Sequence, residues 1–311
     1  MICVAIRAES PDRAREEMGE ARRAGAALCE LRLDYAADPD PSRFLAGRPL
    51  PVLVTVRPRW EGGRFGGSEG ERRRILEAAC RCGAEYVDYE FRAGGDLDHG
   101  RAGLVLSFHD FEGTPGDVED TARRMRAKGA GGVVKLACRA RGAGDLARLV
   151  RLQRLLGPGS AVVAMGEHGT PLRILYARYG GWITYASLRE GAETAPGQRT
   201  VEDLVRRYRV PSIGAGTEVY GLTGGGPPWG EDFFNEAFRA AGRDARCVRI
   251  RAETPELLAD LSEAMGLNGT FSGDPGADPE EFLRRAERQF RSWTGRPVPG
   301  EVRRAFPPRG A

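Results

Sequence analysis

The stretch LVLSFHDFEGTPGDVEDTARRMRAKGAGGVVKLA, residues 104–137, opens and closes on short apolar runs rich in β-branched residues. Between those runs Val118, Ala122 and Met125 recur at helical spacing until Gly129 stops the turn. A strand, a helix and a second strand in so short a span make one βαβ unit, in which the two strands lie parallel. Working outward, the alternation repeats. Apolar runs stand at residues 2–6, 28–33, 52–56, 86–90, 104–108, 133–137, 162–165 and 183–188. Ser10 and Pro11 suit an N-cap and first helical position, Leu146, Leu149, Val150 and Leu156 end at Gly157, and Val201, Leu204, Val205 and Tyr208 form a last helix. Eight β/α units in about 215 residues predict an α/β protein, a compact (β/α)₈ TIM barrel over residues 1–212. Residues 213–311 are left for a small C-terminal α/β appendage. The second unit has room for only a short helix beside Pro39 and Pro41, and the fourth is weakly patterned around residues 94–103.

At 311 residues with 41% hydrophobic side chains, the chain can bury one large core and a small addition. Its 47 basic and 44 acidic residues leave a formal charge of +3 spread along the chain, which gives no footprint for nucleic acid. Arg72, Arg73 and Arg74 read as a solvated helix face. No stretch approaches the roughly 18 apolar residues of a membrane span, and MICVAIRAES at the N-terminus lacks the segments of a secretion signal, so a cytoplasmic protein is expected. Among six cysteines only Cys80 and Cys82 are close, with no neighbouring histidine; the set reads as free, mostly buried thiols.

Chemistry in such a barrel gathers at the carboxyl ends of the strands. Glu30, Arg32 and Asp34 stand after the second strand, Arg57 and Glu61 after the third, Ser107, His109 and Asp110 at the fifth, and Lys135 on the sixth. Glu167, His168 and Arg173 follow the seventh, and Thr194, Pro196, Gly197 and Gln198 lie in a turn-rich loop able to act as a lid. Lys128 and Lys135 are the only lysines in a chain that otherwise uses arginine for its cations. Arginine stays protonated, whereas a desolvated lysine can lose its proton and attack a carbonyl. In Gly132-Val-Val-Lys-Leu-Ala137 the alternation puts Lys135 inside the barrel, where a charge must be paired or neutralised. His109 is the candidate proton carrier one strand away. Arg57 with Glu61, and Glu30 with Arg32, can also be read as ion pairs stitching the barrel mouth. Arg32, Arg57 and Arg173 together suit an anionic substrate. The three histidines, His99, His109 and His168, fall on separate loops, which weighs against a metal-dependent barrel.

Five motifs occur in order: Glu30-Leu-Arg-Leu-Asp34, Thr55-Val-Arg-Pro-Arg-Trp-Glu-Gly-Gly63, Ser107-Phe-His-Asp-Phe-Glu-Gly-Thr-Pro115, Val134-Lys-Leu-Ala137 and Ala195-Pro-Gly-Gln198. Together they resemble type I 3-dehydroquinate dehydratase over residues 1 to about 210. The resemblance implies a (β/α)₈ barrel, commonly dimeric, working in the shikimate pathway without metal or cofactor. It implies Lys135 as the amine that condenses with the ketone of 3-dehydroquinate, His109 as the proton shuttle and Glu61 as the carboxylate that orients the histidine. It implies Arg173 as the grip on the substrate carboxylate, Glu30, Arg32 and Arg57 near the ring hydroxyls, and Thr194 and Gln198 closing from the lid.

The rest of the chain carries Val219-Tyr-Gly-Leu-Thr-Gly-Gly-Gly226, Phe234-Asn-Glu-Ala-Phe238, Gly266-Leu-Asn-Gly-Thr270 and Gln289-Phe-Arg-Ser-Trp-Thr-Gly295, which resemble pieces of a shikimate dehydrogenase. Pro227, Pro228 and Trp229 stand where that family has a Ser-x-Ser loop, no lysine follows Thr270, and no G-x-G-x-x-G opens a dinucleotide fold. A shortened segment inactive as a dehydrogenase is expected. The competing reading of the whole chain is a ligand-sensing or regulatory protein with a silent barrel; the intact lysine, histidine and glutamate weigh against it.

Overall fold

The computed structural model describes residues 1–308 apart from 130, 275 and 277. All eight apolar runs become strands: β1 (Ile2–Arg7), β2 (Leu28–Arg32), β3 (Val52–Thr55), β4 (Tyr86–Glu90), β5 (Gly103–Asp110), β6 (Val133–Arg139), β7 (Ser160–Met165) and β8 (Thr184–Ala186). They pair in parallel in the order β7-β6-β5-β4-β3-β2-β1-β8. Between the two end strands the Trp182 N–H donates to the Ser160 carbonyl at 2.8 Å, so the barrel is nearly closed.

Strand alternation divides the apolar residues into two cores. One face of each strand points inward, where Cys3, Leu28, Leu53, Val105, Ala161, Ile183 and Tyr185 form the inner core of the barrel. The other face packs under the outer helices α1 (Pro11–Arg23), α2 (Pro41–Leu45), α3 (Glu69–Arg81), α4 (Val118–Lys128), α5 (Ala143–Leu156) and α6 (Thr170–Leu175). Ser10 caps α1 through the Arg13 N–H at 3.4 Å, with Pro11 in the first turn. The fourth unit has only a single 3₁₀ turn, Phe91–Ala93, in place of a helix. The expected last helix is wound as a π-helix over Asp203–Arg207, burying Leu204 while Val201 and Tyr208 pack on either side of it. The expectation of a solvated Arg72 fails. Its side chain is fully buried because α3 lies across the barrel wall, and there it pairs with Glu90 inside and with Glu69 at 2.7 Å.

Beyond the 3₁₀ turn Val210–Ser212, three more strands, β9 (Glu218–Gly224), β10 (Ala245–Arg249) and β11 (Gly269–Gly273), form a parallel sheet in the order β10-β9-β11. The connections are α7 (Gly230–Ala240) and α8 (Pro255–Met265), followed by α9 (Pro279–Thr294) and α10 (Gly300–Ala305). One face of this sheet has its own aromatic core, with Phe233, Phe234, Phe238, Phe282 and Phe290. The other face is continuous with the barrel core: Val219, Val248, Ile250 and Leu261 pack in the same cluster as Leu149 and Val150. Helix α8 lies on α5 and closes the seam with Arg151 to Asp260, and with the Tyr179 hydroxyl donating to the Met265 carbonyl at 3.1 Å. A protein ending at Ser212 uncovers the apolar side of α5. A loss of only ~2 kcal/mol there should lower Tm by roughly 4–8 °C, read by calorimetry; an unchanged Tm would show that α8 contributes nothing to the barrel.

Candidate active site

The same alternation sets the heights of the polar groups. Ser107 pairs with Lys135 and His109 with Ala137 across β5 and β6, so His109 stands one layer, about 6.6 Å, nearer the barrel mouth than Lys135. Lys135 is 4% exposed. Its Nζ donates to Asp88 Oδ2 at 3.0 Å and to Glu30 Oε1 at 3.3 Å, and lies 4.4 Å from the centre of the Tyr185 ring.

A buried charge needs compensation, and here it comes as a network. Asp88 also binds Arg57 at 3.0 Å and accepts the Ser107 hydroxyl at 2.5 Å. Arg57 continues to Glu90 at 2.6 Å, which Arg72 reaches from α3. Thr55 donates to Glu30 at 2.9 Å. Lys135, Arg57 and Arg72 thus face Glu30, Asp88 and Glu90, and the formal charges cancel. Burial alone would push the Asp88 carboxyl up, but Arg57 and Lys135 outweigh it and hold the group well below the usual carboxylate range.

Above this layer, His109 Nδ1 sits 3.0 Å from Glu61 Oε1, and the same oxygen accepts the His109 backbone N–H at 2.9 Å. Phe111 stacks beside the ring at 6.0 Å. Burial, then the charges of Arg57 and Lys135, pushes the imidazole well below its usual pKa. Burial raises Glu61 to about 7, and its Oε2 finds no hydrogen-bond partner. Glu61 is delivered by the turn after β3. Gly62 has φ 77°, and a Cβ on Gly63 would meet the Arg57 carbonyl oxygen at 2.0 Å, so the backbone folds back on itself there. Gly63→Ala should open that turn and cost about 1–3 kcal/mol of stability together with activity, checked by urea melts and turnover. Normal stability with normal turnover would show that the turn does not place Glu61.

The other expected residues divide sharply. Arg57 does not pair with Glu61, nor Glu30 with Arg32, as the mouth-stitching reading had it; Arg32 instead forms a two-pronged bond to Asp34, 2.8 Å on each prong, above the Tyr35 ring. Arg173, from α6, is 3% exposed and donates only to carbonyls, Ala164 at 2.8 Å and Pro196 at 3.1 Å. Its Nη1 has no partner, and burial pulls the guanidinium down to about 10. Thr194 and Gln198 close on each other: the Thr194 N–H donates to Gln198 Oε1 at 2.8 Å, and Gln198 Nε2 to the threonine hydroxyl at 3.1 Å. One cavity of about 510 Å³ is lined by all nine expected side chains, Glu30, Arg32, Arg57, Glu61, His109, Lys135, Arg173, Thr194 and Gln198. Sequence reasoning missed Asp88, Glu90, Arg72 and Tyr185. The signal for the first two was there in Tyr86-Val-Asp-Tyr-Glu90, where acids alternate along an otherwise apolar buried strand.

Polar groups gathered at the carboxyl ends of eight parallel strands define a (β/α)₈ barrel enzyme. The family model described as type I 3-dehydroquinase matches residues 2–214. The chain is 34% identical over 237 residues to the chloroplastic bifunctional 3-dehydroquinate dehydratase/shikimate dehydrogenase of Arabidopsis thaliana, covering 72% of this chain and 39% of that protein. It is 34% identical over 216 residues to the 3-dehydroquinate dehydratase of Desulfotalea psychrophila, covering 65% of this chain and 94% of the relative. Among solved structures, the 3-dehydroquinate dehydratase of Geobacillus kaustophilus superposes with a TM-score of 0.58 at 28% identity, over 65% of this chain and 87% of that one. A dehydroquinate dehydratase and shikimate dehydrogenase structure from S. pombe shares the fold over 88% of this chain and 56% of its own, with a TM-score of 0.53 at 20% identity. This chain belongs to the type I 3-dehydroquinase family. It is a type I 3-dehydroquinate dehydratase, a lyase of the shikimate pathway. No helix among the described residues is long and apolar enough to cross a membrane.

Proposed function

We propose that the barrel dehydrates 3-dehydroquinate to 3-dehydroshikimate and water through an imine on Lys135. The observation that carries this reading is a buried amine reaching the same cavity as a His109–Glu61 pair one layer above it. Asp88 and Glu30 hold Nζ at the cavity wall, and the amine condenses with the C3 ketone, releasing one water. The iminium draws electrons from C2. His109 takes the C2 proton there and, as imidazolium, donates it to the departing C1 hydroxyl, which leaves as water. Hydrolysis of the imine consumes one water and frees Lys135, so the net loss is one water.

Glu61 fixes the imidazole through Nδ1, which leaves Nε2 to meet the substrate. Arg173 is the cation that the protein leaves without a carboxylate, and we assign it to the carboxylate of the substrate. Arg32 and Arg57 are already neutralised by Asp34, Asp88 and Glu90, so they fix shape and hydroxyl contacts rather than net charge. Arg173→Lys keeps the charge and loses the fork. It should raise KM for the substrate by roughly 10–100-fold with a smaller change in kcat; an unchanged KM would remove Arg173 from substrate binding.

The barrel over residues 1–212 is the catalytic unit in this reading. Residues 213–311 form a shikimate dehydrogenase-like segment appended to the barrel. A homodimer in the cytoplasm completes the proposal, and sedimentation equilibrium reads the oligomer. The test of the chemistry is borohydride treatment with and without 3-dehydroquinate, followed by mass spectrometry of the peptide that contains Lys135. A substrate-dependent reduced adduct on Lys135 is expected. No adduct on folded protein would instead favour a silent, ligand-sensing barrel.

A further inference from the structure

Where the barrel mouth meets the appended sheet, a second cleft of about 770 Å³ opens behind the lid. Its walls carry Arg199 and Arg207 from the barrel, Arg249 and Arg251 from the end of β10, and His168 from the loop after β7. Four guanidinium groups meet two lining carboxylates, Glu167 and Glu231. Only Glu167 makes a close pair with a lining arginine, to the exposed head of Arg251 at 2.7 Å. Glu231 is 3.6 Å from Arg249 and 3.8 Å from Arg207, beyond hydrogen-bond length. It is committed elsewhere, because its Oε1 accepts the Arg249 backbone N–H at 2.7 Å and the Tyr208 hydroxyl at 3.3 Å. Arg199 reaches Asp203 only at 3.9 Å. Arg207 has one close acid, Asp232 at 2.5 Å, which does not line the cleft. His168 Nδ1 is buried without a hydrogen-bond partner.

The residues that line the cleft therefore carry four guanidinium groups against two carboxylates, while Asp203 and Asp232 approach Arg199 and Arg207 from outside the lining. Helix α7 begins at its edge, just after Pro228, with no side-chain cap, and Glu231 and Asp232 in its first turn offset the N-terminal dipole. Cations come from both walls, which selects a ligand with more than one anionic group, able to touch barrel and appendage together. We propose that this cleft is a binding site for a small polyanion bearing phosphate or carboxylate groups. Arg199 directly follows Gln198, so a ligand held there anchors the base of the lid. The inference rests on the cleft alone and stands whether or not Lys135 forms an imine.

The test is calorimetric titration of the full chain at low ionic strength with pyrophosphate and, separately, with citrate, which distinguishes phosphate from carboxylate recognition. Saturable binding of one of them is expected. It should weaken at least roughly tenfold in Arg249→Gln/Arg251→Gln, since each arginine lost removes a charge-assisted contact. Dehydratase turnover without the anion should stay unchanged, which also reports that the variant is folded. Should that pair of changes disturb β10, Arg199→Gln on the barrel side is expected to weaken binding by the same route. Hydrogen exchange should slow in residues 194–207 and 246–251 when the anion is bound. Absence of saturation with both anions, or equal binding by wild type and variants, overturns the proposal; the second result would move the anion to another site.

Discussion

Lys135→Met should abolish dehydration, with kcat falling by roughly 10³-fold or more, because the variant keeps the volume of the side chain and loses the only group placed to form an imine. The borohydride adduct should vanish with it. The structure adds a second consequence. Lys135 supplies one of three positive charges that balance Glu30, Asp88 and Glu90, so its removal leaves an uncompensated carboxylate beside Arg57 in a buried layer. Breaking a buried pair in this way costs about 3–5 kcal/mol. The carboxylate can take up a proton instead, and the loss of stability should then shrink as pH falls. Urea melts at pH 7 and pH 5 read this directly. A folded variant with normal stability and residual turnover near wild type would sink both the imine mechanism and the charge-balance account.

His109→Gln should lower kcat by about 10²–10⁴-fold, the range for a positioned general acid and base, while leaving imine formation on Lys135 detectable after borohydride. That split separates the proton carrier from the nucleophile. The pair with Glu61 sharpens the test. Glu61 is raised to about 7 by burial, while burial and the charges of Arg57 and Lys135 hold the imidazole well below its usual value. The two groups share an oxygen–nitrogen contact and titrate as a unit. As pH falls through about 7 the pair takes up its first proton, which disturbs the contact that orients the ring. Glu61→Gln removes that titration, so the acid limb of kcat/KM should move to lower pH, toward the protonation of His109 itself. An unmoved limb would show that Glu61 does not govern the histidine.

Much of this was legible in the chain. The barrel follows from spacing: eight apolar runs of strand length alternate with helical patterns, and parallel strands need such crossovers. The barrel placed Lys135 and His109 inside without any contact being known, because strand side chains alternate with period two. The misreadings and omissions among the charged residues have a common cause. Arg72 read as a surface residue because its neighbours Arg73 and Arg74 share its chemistry, and only the lie of α3 across the wall sends it inward to Glu90. Asp88 and Glu90 lay in a run already assigned as a strand, so their charge went unused. The alternative reading, ion pairs at the barrel mouth, joined residues close in sequence, Arg57 with Glu61 and Glu30 with Arg32. The structure pairs residues 33 and 105 positions apart, Arg57 with Glu90 and Lys135 with Glu30.

The sequence by itself therefore determined the elements, their inward faces and which lysine lies inside the barrel, since each is set by local periodicity and residue chemistry. Only the tertiary structure decided which charges cancel, and hence that Arg173 is left without a carboxylate while Arg32 and Arg57 are not. Neutralisation of a buried charge depends on register between distant strands and on what a docked helix brings to the barrel wall, and no local pattern encodes either.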